Sequence, residues 1–145
     1  MTAAPYVDTS ALAKWYLNEP RSDDFAAWIT GQKTAAISRL TVVEFRCLLA
    51  RRRRARDITA RIERRIVAAF DDDIRRGFVD VRPLDDRHAI AAVAIMADVA
   101  RHPLRTLDAL HLAIARDTGA PAIATADRVM AAAARSLGFE VVRFD

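Results

Sequence analysis

Cysteine, glycine and long hydrophobic runs are scarce in this chain of 145 residues. The single cysteine, Cys47, excludes an internal disulfide, and its position in the apolar run VVEFRCLLA predicts a buried structural thiol. Four glycines and five prolines form no linker, which favours one domain over residues 1–145. No run is long enough to cross a bilayer and no signal-peptide pattern opens the chain, so we expect a cytoplasmic protein without a membrane partner.

Arginine dominates the charge. The 23 basic residues comprise 21 Arg and two Lys, against 19 acidic residues, for a formal net charge of +4. Guanidinium groups bind phosphates well, so nucleic acid is a possible partner. The run RRRRAR at Arg51–Arg56 either contacts RNA backbone or is a solvated helix end that complements the helix dipole, and both interpretations stay open.

Short apolar segments alternate with longer segments of helical periodicity. This alternation predicts an α/β domain with a largely parallel sheet, in which ligands bind beyond the carboxyl ends of the strands. The predicted strands are Tyr6–Asp8, Ala35–Ser38, Phe78–Arg82, Pro121–Thr125 and the final EVVRF. The predicted helices are Thr9–Leu17, one capped by Ser22 and ending at Gly31, Thr41–Arg54, Asp57–Arg76, one from Asp85 or Asp86 to Ala100, Thr106–Gly119 and Asp127–Leu137.

Three predicted strands lead into an acid at or just after their carboxyl ends, namely Asp8, Glu44 and Asp127, and a fourth acid, Asp108, lies in the first turn of the helix that begins at Thr106. Each alone is explained as a helix cap or first-turn acid, and TVVE ending at Glu44 matches a capping box. If the first strand is central, however, the ends of strands one, two and four lie side by side and bring these carboxylates around one small volume, where carboxylates 4 Å apart repel by about 4 kcal/mol per pair at surface-like dielectric. A divalent cation removes this repulsion, and ligands that are all oxygen favour Mg²⁺ or Mn²⁺ over Zn²⁺.

Four blocks in the chain resemble the signature blocks of the PIN domain, and most closely those of the VapC-type toxins of bacterial toxin–antitoxin pairs. The blocks are YVDTSALAKWYLNEP, ISRLTVVEFRCLLAR, LRTLDALHLAIARDTG and IATADRVMAAAARSLGFEVV. The resemblance implies a three-layer fold with about five strands in the order 3-2-1-4-5. It also implies an Mg²⁺- or Mn²⁺-dependent ribonuclease with Asp8 and Asp108 as principal metal ligands. Glu44 and Asp127 would bind directly or through water, with supporting hydroxyls on Thr9, Ser10 and Thr125.

The implied activity is metal-assisted hydrolysis of RNA phosphodiester bonds that leaves a 5′-phosphate and a 3′-hydroxyl. The resemblance further implies a homodimer and a groove for a cognate VapB-type antitoxin near the N-terminal helices. Operator DNA would be bound only through the antitoxin complex. Trp15, Tyr16 and Trp28 are predicted to be core or interface residues.

Two alternatives remain at this point. One is a catalytically silent PIN-like module that binds protein or nucleic acid. The other is a phospho-acceptor receiver domain, which needs a lysine near its last strand, whereas the only lysines are Lys14 and Lys33. His111, three residues after Asp108, is expected to be packed or capped, with a hydrogen bond to the site as the alternative. We also expect Asp71–Asp73 to form a solvated turn of helix.

Overall fold

Five parallel strands form one sheet in the order β3-β2-β1-β4-β5 within residues 3–145, the part of the chain that this computed structural model describes. The order and the parallel direction confirm the prediction. The central strands are buried on both faces, as is typical of a parallel sheet covered by helices on each side. The strands are β1 Tyr6–Val7, β2 Ala35–Ser38, β3 Val79–Arg82, β4 Ala122–Thr125 and β5 Glu140–Arg143.

Seven helices cover the sheet in the described range. They are α1 Thr9–Tyr16, α2 Ser22–Thr30, α3 Arg39–Arg54, α4 Ala60–Arg75, α5 Asp86–Asp98, α6 Thr106–Asp117 and α7 Arg128–Ser136. None of these helices combines the length and the apolar character that a membrane span requires. Every predicted helix is present, with ends that differ by a few residues.

The hydrophobic core consists of two clusters separated by the sheet. Alternate strand residues point to opposite faces, so Val7 and Ala124 belong to one cluster whereas Tyr6 and Ile123 belong to the other. Helices α1 to α4 pack on the first face and helices α5 to α7 on the second. The predicted three-layer architecture is therefore confirmed.

Three predicted helix starts are wrong. Helix α2 is preceded by Arg21, with a φ of 68°, so Ser22 is its first residue and not its cap. Helix α4 begins at Ala60 with Thr59 as N-cap, not at Asp57. Helix α3 begins at Arg39, because the last residue of β2, Ser38, is also its N-cap.

The capping box of α3 joins Ser38 and Thr41, and Thr41 and Glu44 do not form one. Both pairs have the same three-residue spacing. The pair of Ser38 and Thr41 forms the box because β2 ends at Ser38 and the helix begins directly after it. Glu44 therefore lies in the second turn of α3 rather than in its first. Its carboxylate is not used to cap the helix and is available for other contacts.

Two further predictions about single residues are wrong. Cys47 is exposed, because Phe45 and Leu49 form the buried face of α3 and Cys47 lies between them on the opposite face. Asp73 is not a purely solvated acid, since its Oδ2 accepts hydrogen bonds from the Tyr16 hydroxyl at 2.6 Å and from Trp15 Nε1 at 3.3 Å. Both aromatic side chains are partly buried against the first core cluster.

Candidate functional site

Strand register places Asp8 beside Thr125 at the carboxyl edge of the sheet. Val7 pairs with Ala124, and the Asp8 amide donates to the Ala124 carbonyl at 3.1 Å. Asp8 is the N-cap of α1 and is 4% exposed. Its Oδ1 accepts from the Ala11 amide at 3.0 Å and from the Ser10 hydroxyl at 2.7 Å, and its Oδ2 accepts from the Thr125 hydroxyl.

These hydrogen bonds hold Asp8 as a buried acid among neutral donors. Burial raises the pKa of the Asp8 carboxyl, and the bonds from Thr125, Ala11 and Ser10 oppose that shift only in part. No basic side chain in residues 3–145 forms a salt bridge with Asp8. The cap expected for Asp8 is confirmed, and its carboxylate forms no salt bridge in this range.

Glu44 is held by two donors from other elements. Its Oε1 accepts from the Thr9 hydroxyl at 2.9 Å and is also bonded by His111 Nε2. Burial by itself would raise the pKa of Glu44, but the His111 bond and charge, the Thr9 bond and the charge of Arg105 outweigh it and lower the pKa. Glu44 is therefore ionised at neutral pH.

His111 links Glu44 to the core. It is 2% exposed, which agrees with the packed histidine predicted from the sequence, yet it also contacts a site acid. Its Nδ1 lies 2.7 Å from the Tyr6 hydroxyl, which donates to Ser38 Oγ at 2.9 Å. Because both ring nitrogens are already hydrogen-bonded, His111 positions Glu44 and is not a free metal ligand.

One arginine bridges the remaining two acids. Asp108 lies in the first turn of α6, as predicted, and Asp127 is the N-cap of α7. Arg105 Nε donates to Asp108 Oδ2 at 3.1 Å, and Arg105 Nη2 donates to Asp127 Oδ2 at 3.0 Å. The sequence interpretation missed Arg105, although its position three residues before Asp108, one helical turn away, was an available signal.

A cavity of about 520 Å³ brings the predicted acids together. Asp8, Glu44, Asp108 and Asp127 all line it, and so do Thr9, Ser10, Arg105 and His111. Thr125 lies beneath the cavity wall, where it is fully buried and bonded to Asp8. Every residue predicted for the site therefore lies in or directly behind one cavity.

The oxygen-rich lining fits Mg²⁺ or Mn²⁺ in chemical type. Within residues 3–145, no three Asp, Glu, His or Cys side chains surround a common point as ion ligands do. Asp108 and Asp127 nevertheless already share one cationic group, the guanidinium of Arg105. Their oxygens are thus within reach of a common positive charge.

A five-stranded parallel sheet in the order 3-2-1-4-5 with an acidic cavity at its carboxyl edge defines a PIN-like fold. The chain belongs to the PIN domain family, whose sequence model matches residues 6–145. It is 34% identical over 143 residues to ribonuclease VapC46 of Mycobacterium tuberculosis, with 97% of each chain covered. This membership excludes the receiver-domain alternative.

Solved structures share the fold at lower identity. Mycobacterium tuberculosis VapC20, described as a toxin that cleaves the sarcin-ricin loop, has a TM-score of 0.70 at 20% identity and covers 90% of this chain and 95% of its own. The DNA-bound VapBC of Salmonella typhimurium has a TM-score of 0.64 at 18% identity, with both chains fully covered. These likenesses confirm the predicted fold.

Proposed function

We propose that this protein is a metal-dependent endoribonuclease, the toxin of a VapBC-type toxin–antitoxin pair, which acts on RNA in the cytoplasm. The observation that carries the proposal is the convergence of four carboxylates in one cavity. The similarity to a protein named ribonuclease VapC46 supports it. Asp8 and Asp108 would be the principal ligands of Mg²⁺ or Mn²⁺, with Glu44 and Asp127 binding directly or through water.

The side chains around the cavity would have different roles in RNA hydrolysis. A bound ion would hold the scissile phosphate and lower the pKa of a water molecule. The lowered pKa of Glu44 keeps it ionised, and both of the hydrogen bonds that it accepts from residues 3–145 are at Oε1, so Oε2 can orient that water. Ser10, Thr125 and the Ala11 amide fix the orientation of the Asp8 carboxylate, which reduces the reorganisation that ion binding requires.

The proposed protein partner is a VapB-type antitoxin, supported by the fold shared with the VapBC complex of Salmonella typhimurium. A second cavity, of about 720 Å³, lies between α1 and α4 and is lined by Trp15, Tyr16 and Ile62 among others. This groove near the N-terminal helices, whose lining mixes apolar side chains with charged ones such as Arg65 and Asp73, is the proposed place for the antitoxin. A homodimer and indirect operator binding through the antitoxin complete the proposed assembly.

Substitution of the principal acids tests the enzymatic proposal. We expect Asp8→Asn and Asp108→Asn to reduce RNA cleavage in Mg²⁺ or Mn²⁺ by at least about 100-fold, because each removes a charged oxygen ligand. Circular dichroism should show an unchanged fold. Cleavage can be measured by sequencing the 5′ ends of RNAs cut by the purified protein.

Asp86→Asn is the matched control, since Asp86 is an exposed acid in the first turn of α5 and does not line the cavity. This control should cleave as the wild type does. Undiminished cleavage by Asp8→Asn or Asp108→Asn would refute the site.

The catalytically silent binding module remains a second candidate because one observation favours it. The Arg105 guanidinium pairs with oxygens of Asp108 and Asp127 that an ion would use. If neither ion supports RNA cleavage and Asp8→Ala leaves the cellular effect of expression unchanged, the binding module is the correct function.

A further inference from the structure

Arg105 and a divalent ion would compete for the same two carboxylates, Asp108 and Asp127. The guanidinium contacts Oδ2 of Asp108 at 3.1 Å and Oδ2 of Asp127 at 3.0 Å, and it lines the same cavity as Asp8 and Glu44. The hydrogen bond to Asp108 and the negative charges of Asp108, Asp127 and Glu44 hold the pKa of Arg105 above its usual value. Arg105 is therefore the cation that neutralises this side of the acid cluster in the described structure.

The salt bridges of Arg105 with Asp108 and Asp127 are exposed enough to open. The Arg105 side chain is 74% exposed, and the residue lies just before α6 rather than inside the helix. Solvent screens such an exposed ion pair, and its net contribution is small compared with that of a buried one. The Asp108 and Asp127 side chains are less exposed, at 11% and 27%, and Asp127 is also fixed by its bond to the Met130 amide. Asp127 thus keeps a second contact that holds it in place, while the cationic partner of both acids is free to leave.

We propose that Arg105 is an internal competitor for the divalent ion, which neutralises Asp108 and Asp127 in the ion-free protein and releases Asp108 when the ion binds. The inference rests on the proposed metal site. Two positive groups on one carboxylate repel each other, so the salt bridge and the ion disfavour each other. The pairing reduces carboxylate repulsion in the empty site and weakens ion affinity by the same linkage.

Manganese binding to the ion-free protein tests this competition without RNA. Free Mn²⁺ can be measured by electron paramagnetic resonance during titration of the wild type and of Arg105→Gln. We expect Arg105→Gln to bind Mn²⁺ about threefold or more tightly, since both the competitor and a like charge are removed. The substitution is at an exposed side chain, and thermal unfolding should verify that the variant is folded.

Arg128→Gln provides the matched control. Arg128 follows Asp127 directly in sequence and is 83% exposed, but it pairs with Asp145 instead of the cavity acids. Arg128→Gln removes one positive charge near the site, as Arg105→Gln does, but breaks no contact with Asp108 or Asp127. The Mn²⁺ affinity of Arg128→Gln should therefore stay within about twofold of that of the wild type. Equal tightening in both variants would show a general charge effect and overturn the proposal, as would unchanged or weaker binding by Arg105→Gln.

A diamagnetic titration gives a direct readout of the side chain. The Nε–H resonance of Arg105, assigned by its loss in Arg105→Gln, should shift when Mg²⁺ is added to the wild type; a resonance that stays in place while Mg²⁺ binds would overturn the proposal.

Failure of the competition is distinct from failure of the ribonuclease function. A wild type that binds Mn²⁺ and cuts no RNA contradicts the function only, whereas one that cuts RNA while Arg105→Gln gains no Mn²⁺ affinity contradicts the competition only.

Discussion

At the scale of single residues, Asp8 combines two roles that the sequence presents as alternatives. As a helix cap it accepts the Ala11 amide, and as a cavity acid it is buried with no salt bridge in the described range. The cap fixes the direction of the carboxylate, and the hydroxyls of Ser10 and Thr125 fix both of its oxygens. The buried charge destabilises the protein when no cation is bound, because its desolvation is not repaid.

The burial of Asp8 predicts a pH-dependent gain in stability for Asp8→Asn. The pKa of Asp8 is raised in the folded state, so the ionised carboxylate lowers stability above that pKa, and the penalty vanishes below the unfolded-state pKa of 3.8. We expect the ion-free variant to gain about 1 kcal/mol in free energy of unfolding at pH 7 and almost none near about pH 3.

Urea denaturation in the presence of a chelator measures this difference at both pH values. Asp86→Asn, at an exposed position, should show no such gain and serves as the control. A loss of stability for Asp8→Asn at pH 7 would show that the hydrogen bonds outweigh the burial of charge.

At the scale of elements, helix α3 brings acidic and basic chemistry to the same cavity. Glu44, Cys47, Leu48 and Arg51 follow the i, i+3, i+4, i+7 spacing and all line it. Glu44 and Arg51 are two turns apart on this face, about 10 Å along the helix axis. Arg52 and Arg53 point elsewhere and pair with Glu19 and Glu63. Arg51 is therefore the member of the run that lines the cavity, and RNA contact stays a prediction for it.

Arg51 is the member of the run that we expect to contact RNA. It is exposed, and the salt bridges found in residues 3–145 include none from it. In the Asp108→Asn background, where RNA should stay intact, Arg51→Gln should weaken RNA binding by about fivefold and reduce the slope of log affinity against log salt by about one. Fluorescence anisotropy at several salt concentrations measures both quantities.

Arg54→Gln is the control within the same helix, because Arg54 is exposed but does not line the cavity. It should leave RNA affinity within about twofold of the parent. Equal losses for the two variants would mean that the run acts only through its overall charge.

The sequence predicts the position of a site residue best when that residue lies close to the end of a strand. Asp8 directly follows β1 and Asp127 lies two residues after β4, so the parallel pattern alone placed them at one sheet edge. Glu44 lies deeper in its helix, and the sequence predicted it in the first turn instead of the second. The prediction was wrong because the Ser38 hydroxyl caps the helix, where the hydroxyl of Thr41 was expected to do so. The role of Arg105 depends on tertiary contact with Asp127, 22 residues away, which periodicity does not show. Cys47 was misplaced because an apolar sequence neighbourhood does not distinguish the two faces of a helix.

At the scale of the whole molecule, the cavity is lined by acids from elements on both faces of the sheet. Asp8 and Glu44 are carried by elements that pack on the first face of the sheet, α1 and α3. Asp108 and Asp127 are carried by α6 and α7, which pack on the second face. An ion bound by acids of both pairs would link the outer layers across the sheet edge, so its binding energy should add to the stability of the entire fold rather than to one loop.

This linkage predicts that Mn²⁺ raises the global unfolding temperature of the protein. At a free concentration of about 100 times the dissociation constant, binding to the folded state alone adds about 2.7 kcal/mol, which corresponds to roughly 5 °C or more for a domain of this size. Calorimetry should show one transition that moves upward with Mn²⁺ and returns when a chelator is added. Asp108→Asn should lose most of the shift and Asp86→Asn should keep it. An equal shift in Asp108→Asn would place the ion outside the cavity, and a second transition that ignores Mn²⁺ would show that the two core layers unfold independently.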